Sequence, residues 1–208
     1  MKHRTQPPTR TEAWGLLCTW NENESLRRHA LAVEGVMRRF ARCLAPEEEN
    51  VWGIVGLIHD LDYERHPDMH CVKVREILEN EGYPESWIRA VESHGWELCV
   101  AVRPESAMEK VLYTIDELTG LVAATALLRP SRSVLDLEVK SVKKKWKQGG
   151  FAAGVNREVV EKGAALLDMP LEAVIEATIL GMRDVAEAIG LAGTPGSQPS
   201  VEGVSADA

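Results

Sequence analysis

The sequence predicts an all-α protein. Apolar residues recur every three or four positions over most of the chain, runs of alternating β-branched residues are nearly absent, and prolines open helical runs rather than interrupt them. With 208 residues and 45% hydrophobic content the chain can bury a full core, and one domain over residues 1–192 is the expectation.

Leu26, Ala30, Val33, Met37, Phe40 and Ala41 share one helical face and give a helix over about Glu24 to Leu44, with Asn23 as its N-cap. Pro46 opens the next helix, with Glu47, Glu48 and Glu49 in the first turn where the helix dipole favours acids, and it runs to about Leu61. A turn over Asp62 to Pro67 leads to a third helix, about Asp68 to Asn80, ended by Gly82. Pro84 starts a short fourth helix that closes near His94-Gly95. Pro104-Glu105 starts a fifth, long one through Asp116 to about Leu128, closed by Pro130. Further helices are expected over about Leu137 to Lys147, Asn156 to Leu167 and Leu171 to Ile189. The last two, rich in Val, Ile and Leu, read as bundle packing or a homodimer surface. Lys2 to Thr9 and residues 193–208, a Gly/Pro/Ser-rich then acidic end, are expected to be disordered.

A formal net charge of −8 argues against a general nucleic-acid binder. Cys18, Cys43, Cys71 and Cys99 are widely spaced without a Cys-x-x-Cys, which suits reduced thiols in a cytoplasm better than a disulfide or zinc framework. The basic start has no apolar run behind it, and no segment approaches the ~20 apolar residues of a membrane span.

Six metal-type side chains are dealt along this frame: His29, the adjacent pair His59-Asp60, His70, His94 and Asp116. Imidazoles and carboxylates together are good ligands for first-row metals. His29 shares a face with Leu26, Val33 and Val36; His59 follows an apolar run; Asp116 sits among Leu112, Ile115 and Thr119. Each has a plain structural alternative: a hydrogen-bonded core histidine, a helix-end polar residue, half of a solvated Asp116-Glu117 face. Together these alternatives ask three helices each to spend an inward position on an expensive polar group.

The ordered set resembles the HD superfamily of metal-dependent phosphohydrolases, over about Asn23 to Leu128. Supporting text is Leu57-Ile58-His59-Asp60, the run from Ile88 to His94, and the run from Glu109 to Asp116. The resemblance implies an HD-type helical bundle with additional C-terminal helices. It also implies a metal held by His29, His59, Asp60 and Asp116. In a two-metal branch, His70 and His94 bind a second ion and Asp60, the catalytic carboxylate, bridges. His66 competes with His70 but sits in the turn before Pro67. Where relatives carry a small residue and a lysine after the dipeptide, this chain has Leu61-Asp62-Tyr63, so a phosphate-binding lysine is missing. Asp62 is read either as orienting an imidazole or as capping the next turn.

Between Arg129 and Lys147 seven basic residues stand against Asp136 and Glu138. Arg129 and Arg132 are candidates for binding substrate phosphate; Lys143, Lys144 and Lys145 read as a solvated face, and a direct role for Lys110 is disfavoured by its helical phase. Trp96 is a candidate to stack on a base. The expected activity is hydrolysis of a phosphate ester or anhydride, of a nucleotide or small phosphorylated metabolite, by metal-bound hydroxide on one or two divalent transition metals (iron, manganese, cobalt, zinc or nickel). The alternatives are a dinuclear iron oxygenase on the same ligands and a non-catalytic nucleotide-binding member.

Overall fold

Thr9 opens the bundle. Its hydroxyl accepts from Glu12 N, and the Glu12 carboxylate accepts from Thr9 N in return, a reciprocal cap from which helix α1 (Arg10–Trp20) runs. The sequence reading has no helix here. The apolar stripe of α1 is only Ala13 and Leu17, one turn apart, too narrow to register as a periodic face. Arg4 to Thr9, expected to be disordered, is tied down: Arg4 donates to Glu81 O at 2.8 Å and pairs with Glu12, and Pro8 is buried. These positions belong to a computed structural model that describes residues 4–193. Lys2, His3 and residues 194–208 of the expected tail lie outside the described residues.

Among the described residues the fold is helical throughout, without a strand. Helix α2 (Glu24–Leu44) is capped by Asn23 as expected, its side chain accepting from Ser25 N. Pro46–Glu48 forms a single 3-10 turn before α3 (Glu49–Ile58), in which Trp52 to Ile58 are all buried. A second 3-10 turn, Pro67–Met69, precedes α4 (Val72–Glu81), and α5 (Glu85–Ser93) follows Pro84. The long helix α6 (Ala107–Leu127) starts at Ser106, which exchanges cap bonds with Glu109, so the start lies past the proline that marks it in the sequence. Three helices complete the chain: α7 (Val139–Trp146), α8 (Arg157–Leu166) and α9 (Leu171–Asp184). Helix α9 ends at Asp184, short of the expected Ile189. Arg183 donates to the carbonyls of Val134 and Leu137, and the chain then turns through Gly190 at φ 71°. None of these helices is long and apolar enough to cross a membrane.

Helix α2 is the axis of the bundle, packed between α3 and α9 and against α6. Two close approaches make this possible. A Cβ on Gly181 would stand 2.6 Å from Val36 Cα, and one on Gly56 would stand 3.1 Å from Val33 O. Glycine therefore lets α9 and α3 settle on the α2 backbone. The second contact brings the C-terminal end of α3, with His59 and Asp60, beside His29 of α2.

Candidate metal centre

The six side chains come from five places: α2 (His29), the end of α3 (His59, Asp60), the turn before α4 (His70), the end of α5 (His94) and the middle of α6 (Asp116). The fold brings all six together. His29 Nε2 lies 2.8 Å from Asp116 Oδ1 and 3.8 Å from Asp60 Oδ2; His59 Nε2 lies 3.2 Å and 3.3 Å from the same two oxygens. On the other side of Asp60, His70 Nε2 and His94 Nε2 stand 3.5 Å and 3.4 Å from Oδ1, and 3.2 Å from each other. One carboxylate thus faces two nests. Oδ2 looks at His29, His59 and Asp116, and Oδ1 looks at His70 and His94; each group is close enough to hold an ion.

The other ring nitrogens are committed. His59 Nδ1 donates to Gly56 O at 2.8 Å, and His94 Nδ1 donates to Val91 O. A carbonyl only accepts, so both imidazoles must present Nε2 to the centre. His70 Nδ1 donates to Asp62 Oδ1 at 2.8 Å, while Asp62 Oδ2 accepts from Val74 N at 2.8 Å. Asp62 therefore does both things the sequence left open: it orients an imidazole and caps the start of α4. On α6, Thr119 donates to Asp116 O at 2.7 Å with its hydroxyl oxygen 3.5 Å from His29 Nδ1.

The electrostatics of the cluster suit a cation. Burial alone would push His59 down, but Asp60 and Asp116 outweigh it and raise His59 well above the ordinary imidazole value. Burial likewise pushes Asp60 up, and the facing imidazoles of His59 and His94 reverse that and hold it well below the carboxylate range. Asp116 is lowered in the same way by His59 and His29. Asp60 Oδ1 is buried and receives no hydrogen bond. An orphaned buried carboxylate oxygen facing two imidazole nitrogens fits a positive ion in their midst. The donor set of the two nests, nitrogens and carboxylate oxygens, suits a borderline divalent transition metal, and the thiols of Cys71 and Cys99 form a further group with His70.

The centre opens into a cavity of about 390 Å³ walled by Leu26, Tyr63, Leu98, Cys99, Glu117 and Val155. Glu117, which the solvated-face alternative for Asp116 would expose, is half-buried there, accepts from Asn156 N at 3.0 Å and is raised by burial and then by Asp116. Tyr63 covers the His70 ring edge-on, 5.2 Å between centroids. Leu26, His29 and Gly120 also wall a second cavity of about 660 Å³, lined by Ala32, Ala123, Leu127, Met182, Ile189 and Leu191 on its apolar side and by Glu24, Ser25, Arg28 and Thr119 on its polar side. Neither residue carried a signal for this in sequence: Tyr63 is in a turn, and Ala123 looks like any packing alanine.

Other candidates are not at the centre. Arg129 is clamped by both carboxylate oxygens of Asp136, at 3.0 Å and 2.9 Å, and neither it nor Arg132 lines the cavity. Trp96 does not line it either. Its ring packs on Tyr113, with Lys162 Nζ and the Arg103 guanidinium over it at 4.0 Å and 5.5 Å from the ring centroid. His66 sits against Trp20, away from the cluster, which leaves His70 as the ring that reaches Asp60. Comparison of the chain with protein-family models, curated proteins and solved structures returns no match.

Proposed function

We propose that this chain is a metal-dependent phosphohydrolase of the kind its resemblance to the HD superfamily implies, with two divalent cations held by His29, His59, Asp60, His70, His94 and Asp116. The observation that supports it most is Asp60, whose two oxygens each face a separate nest of ligand atoms. Cations bound there would supply activated water near neutral pH and neutralise charge building on a phosphoryl group. The protein's own residues have narrower tasks. Gly56, Val91 and Asp62 fix the imidazole orientations, and Asp60 keeps the two nests adjacent. Among the described residues no lysine or arginine lines the cavity at the cluster, so on this reading the ions meet most of the phosphate charge. The neighbouring apolar cavity takes the organic part of the substrate, a nucleotide or another small phosphorylated metabolite.

The test is elemental analysis of protein purified without oxygen, followed by a phosphate-release screen over phosphomonoesters and anhydrides with manganese, iron, cobalt, nickel and zinc. Two transition-metal ions per chain and phosphate release are expected. Oxygen consumption by an iron-loaded protein that releases no phosphate would assign it to oxygenase chemistry instead. Nucleotide binding without turnover under any metal would make it a sensor.

A further inference from the structure

Two sulfurs stand beside the centre without a task in hydrolysis. Cys71 Sγ and Cys99 Sγ are 3.1 Å apart, about 1 Å more than a disulfide bond of about 2.05 Å. Both are free thiols; Cys71 is buried and Cys99 is exposed on the wall of the metal cavity. The backbone is arranged around the pair. Cys71 holds a left-handed φ of 65° at the start of α4, a region that non-glycine residues seldom occupy. Gly95 passes so close to both sulfurs that any side chain there would collide with them. The turn carrying Cys99 is closed by bonds from Leu98 N, Cys99 N and Val100 N to Gly95 O. Cys18 and Cys43 are also free and belong to other parts of the fold, on α1 and α2.

We propose that Cys71 and Cys99 are a peroxide-oxidised dithiol that closes to a disulfide on the rim of the metal cavity. Cys99, the accessible partner, attacks the terminal oxygen of a hydroperoxide. The O–O bond breaks, an alcohol or water leaves, and Cys99 becomes a sulfenic acid. Cys71 Sγ, 3.1 Å away, then attacks the Cys99 sulfur. The S–O bond breaks, and hydroxide leaves as water with the Cys71 proton. Two thiols lose two electrons in total, and one hydroperoxide is reduced to an alcohol or water plus a second water. The bridge would join the segment that follows His70 to the turn that follows His94.

The experiment treats the full chain, as purified and after removal of metal by a chelator, with hydrogen peroxide. The expected result is loss of two of the four titratable thiols, a mass lower by two hydrogens, a cross-linked peptide joining Cys71 to Cys99, and full reversal by dithiothreitol. Cys99→Ser should abolish the cross-link. Cys71→Ser should leave a sulfenic acid on Cys99 that dimedone traps. Direct passage of Cys99 to sulfinic acid while Cys71 still titrates would overturn the proposal, as would two-thiol loss that persists in Cys99→Ser. Intermolecular dimers through Cys43 as the sole product would overturn it too. The readout needs neither bound metal nor turnover, so its failure is distinct from a failure of the hydrolase reading.

Discussion

Asp62 shows how much one buried carboxylate sets at this centre. It holds His70 by Nδ1 and caps α4 through Val74 N, so it fixes both the ring and the segment that carries it. Partners of this kind are worth about 10–100-fold in metal affinity. Asp62→Asn should therefore weaken the second cation by about that factor and leave the first unchanged, read from a two-step chelator competition. Equal weakening of both steps would place Asp62 outside the second nest. His70→Ala should go further and lower the bound metal from two ions to one, whereas Lys144→Ala should alter neither count nor rate. His59 supplies a pH dependence. In the metal-free protein Asp60 and Asp116 raise its folded value above that of the unfolded chain, so the ion pair stabilises the fold at low pH and that contribution disappears as pH rises through the raised value. A cation must displace the same proton. The rise in Tm on adding manganese should consequently grow between pH 6 and pH 9; a rise that is flat or shrinks over that window would remove His59 from the ligand set.

At the scale of helices, the sequence was most legible where one face is wide and apolar. The stripe of α2, the buried run of α3 and the Asn23 cap are where periodicity puts them. That these six side chains share one site was legible for a related reason: an imidazole or carboxylate on an inward face is costly enough to need a partner. What escaped depends on neighbours. Helix α1 fully buries only Ala13 and Leu17 and packs on α3, and its Arg10 guanidinium grips the buried Glu34 at 2.7 Å and 2.8 Å; nothing local to residues 10–20 encodes those partners. Arg129 and Asp136 are seven residues apart across a turn, and their pairing is invisible to a charge count. The crossing of α2 and α9 was equally hidden, since Gly181 reads as a weak point in a helix until Val36 Cα is found against it. Gly181→Ala should force these helices apart and cost about 1–3 kcal/mol, the usual penalty of overpacking. Urea melts would measure it, and a stability gain from the higher helix propensity of alanine would show that the contact yields freely.

Taken whole, the molecule sets three carboxylates at the cavity of an acidic protein: net charge −8, with Asp60, Asp116 and Glu117 beside His29, His70 and His94 and, among the described residues, no lysine or arginine in the lining. On the proposed function, cations at the cluster would offset these carboxylates and admit a phosphorylated substrate. The organic part of that substrate would then enter the second cavity, which shares Leu26, His29 and Gly120 with the first. Ala123 lines that second space one helical turn beyond Gly120 and does not line the cavity at the cluster, so it is the position to enlarge. On the proposed function, Ala123→Phe should raise KM about tenfold for substrates with a bulky organic group, equivalent to ~1.4 kcal/mol of lost binding. Metal content should be unchanged, as should the rate with a minimal substrate such as acetyl phosphate. Comparing kcat and KM for a nucleotide and for acetyl phosphate separates the outcomes. An equal loss on both would mean the centre itself was disturbed, and no loss on either would mean the apolar cavity plays no part in recognition.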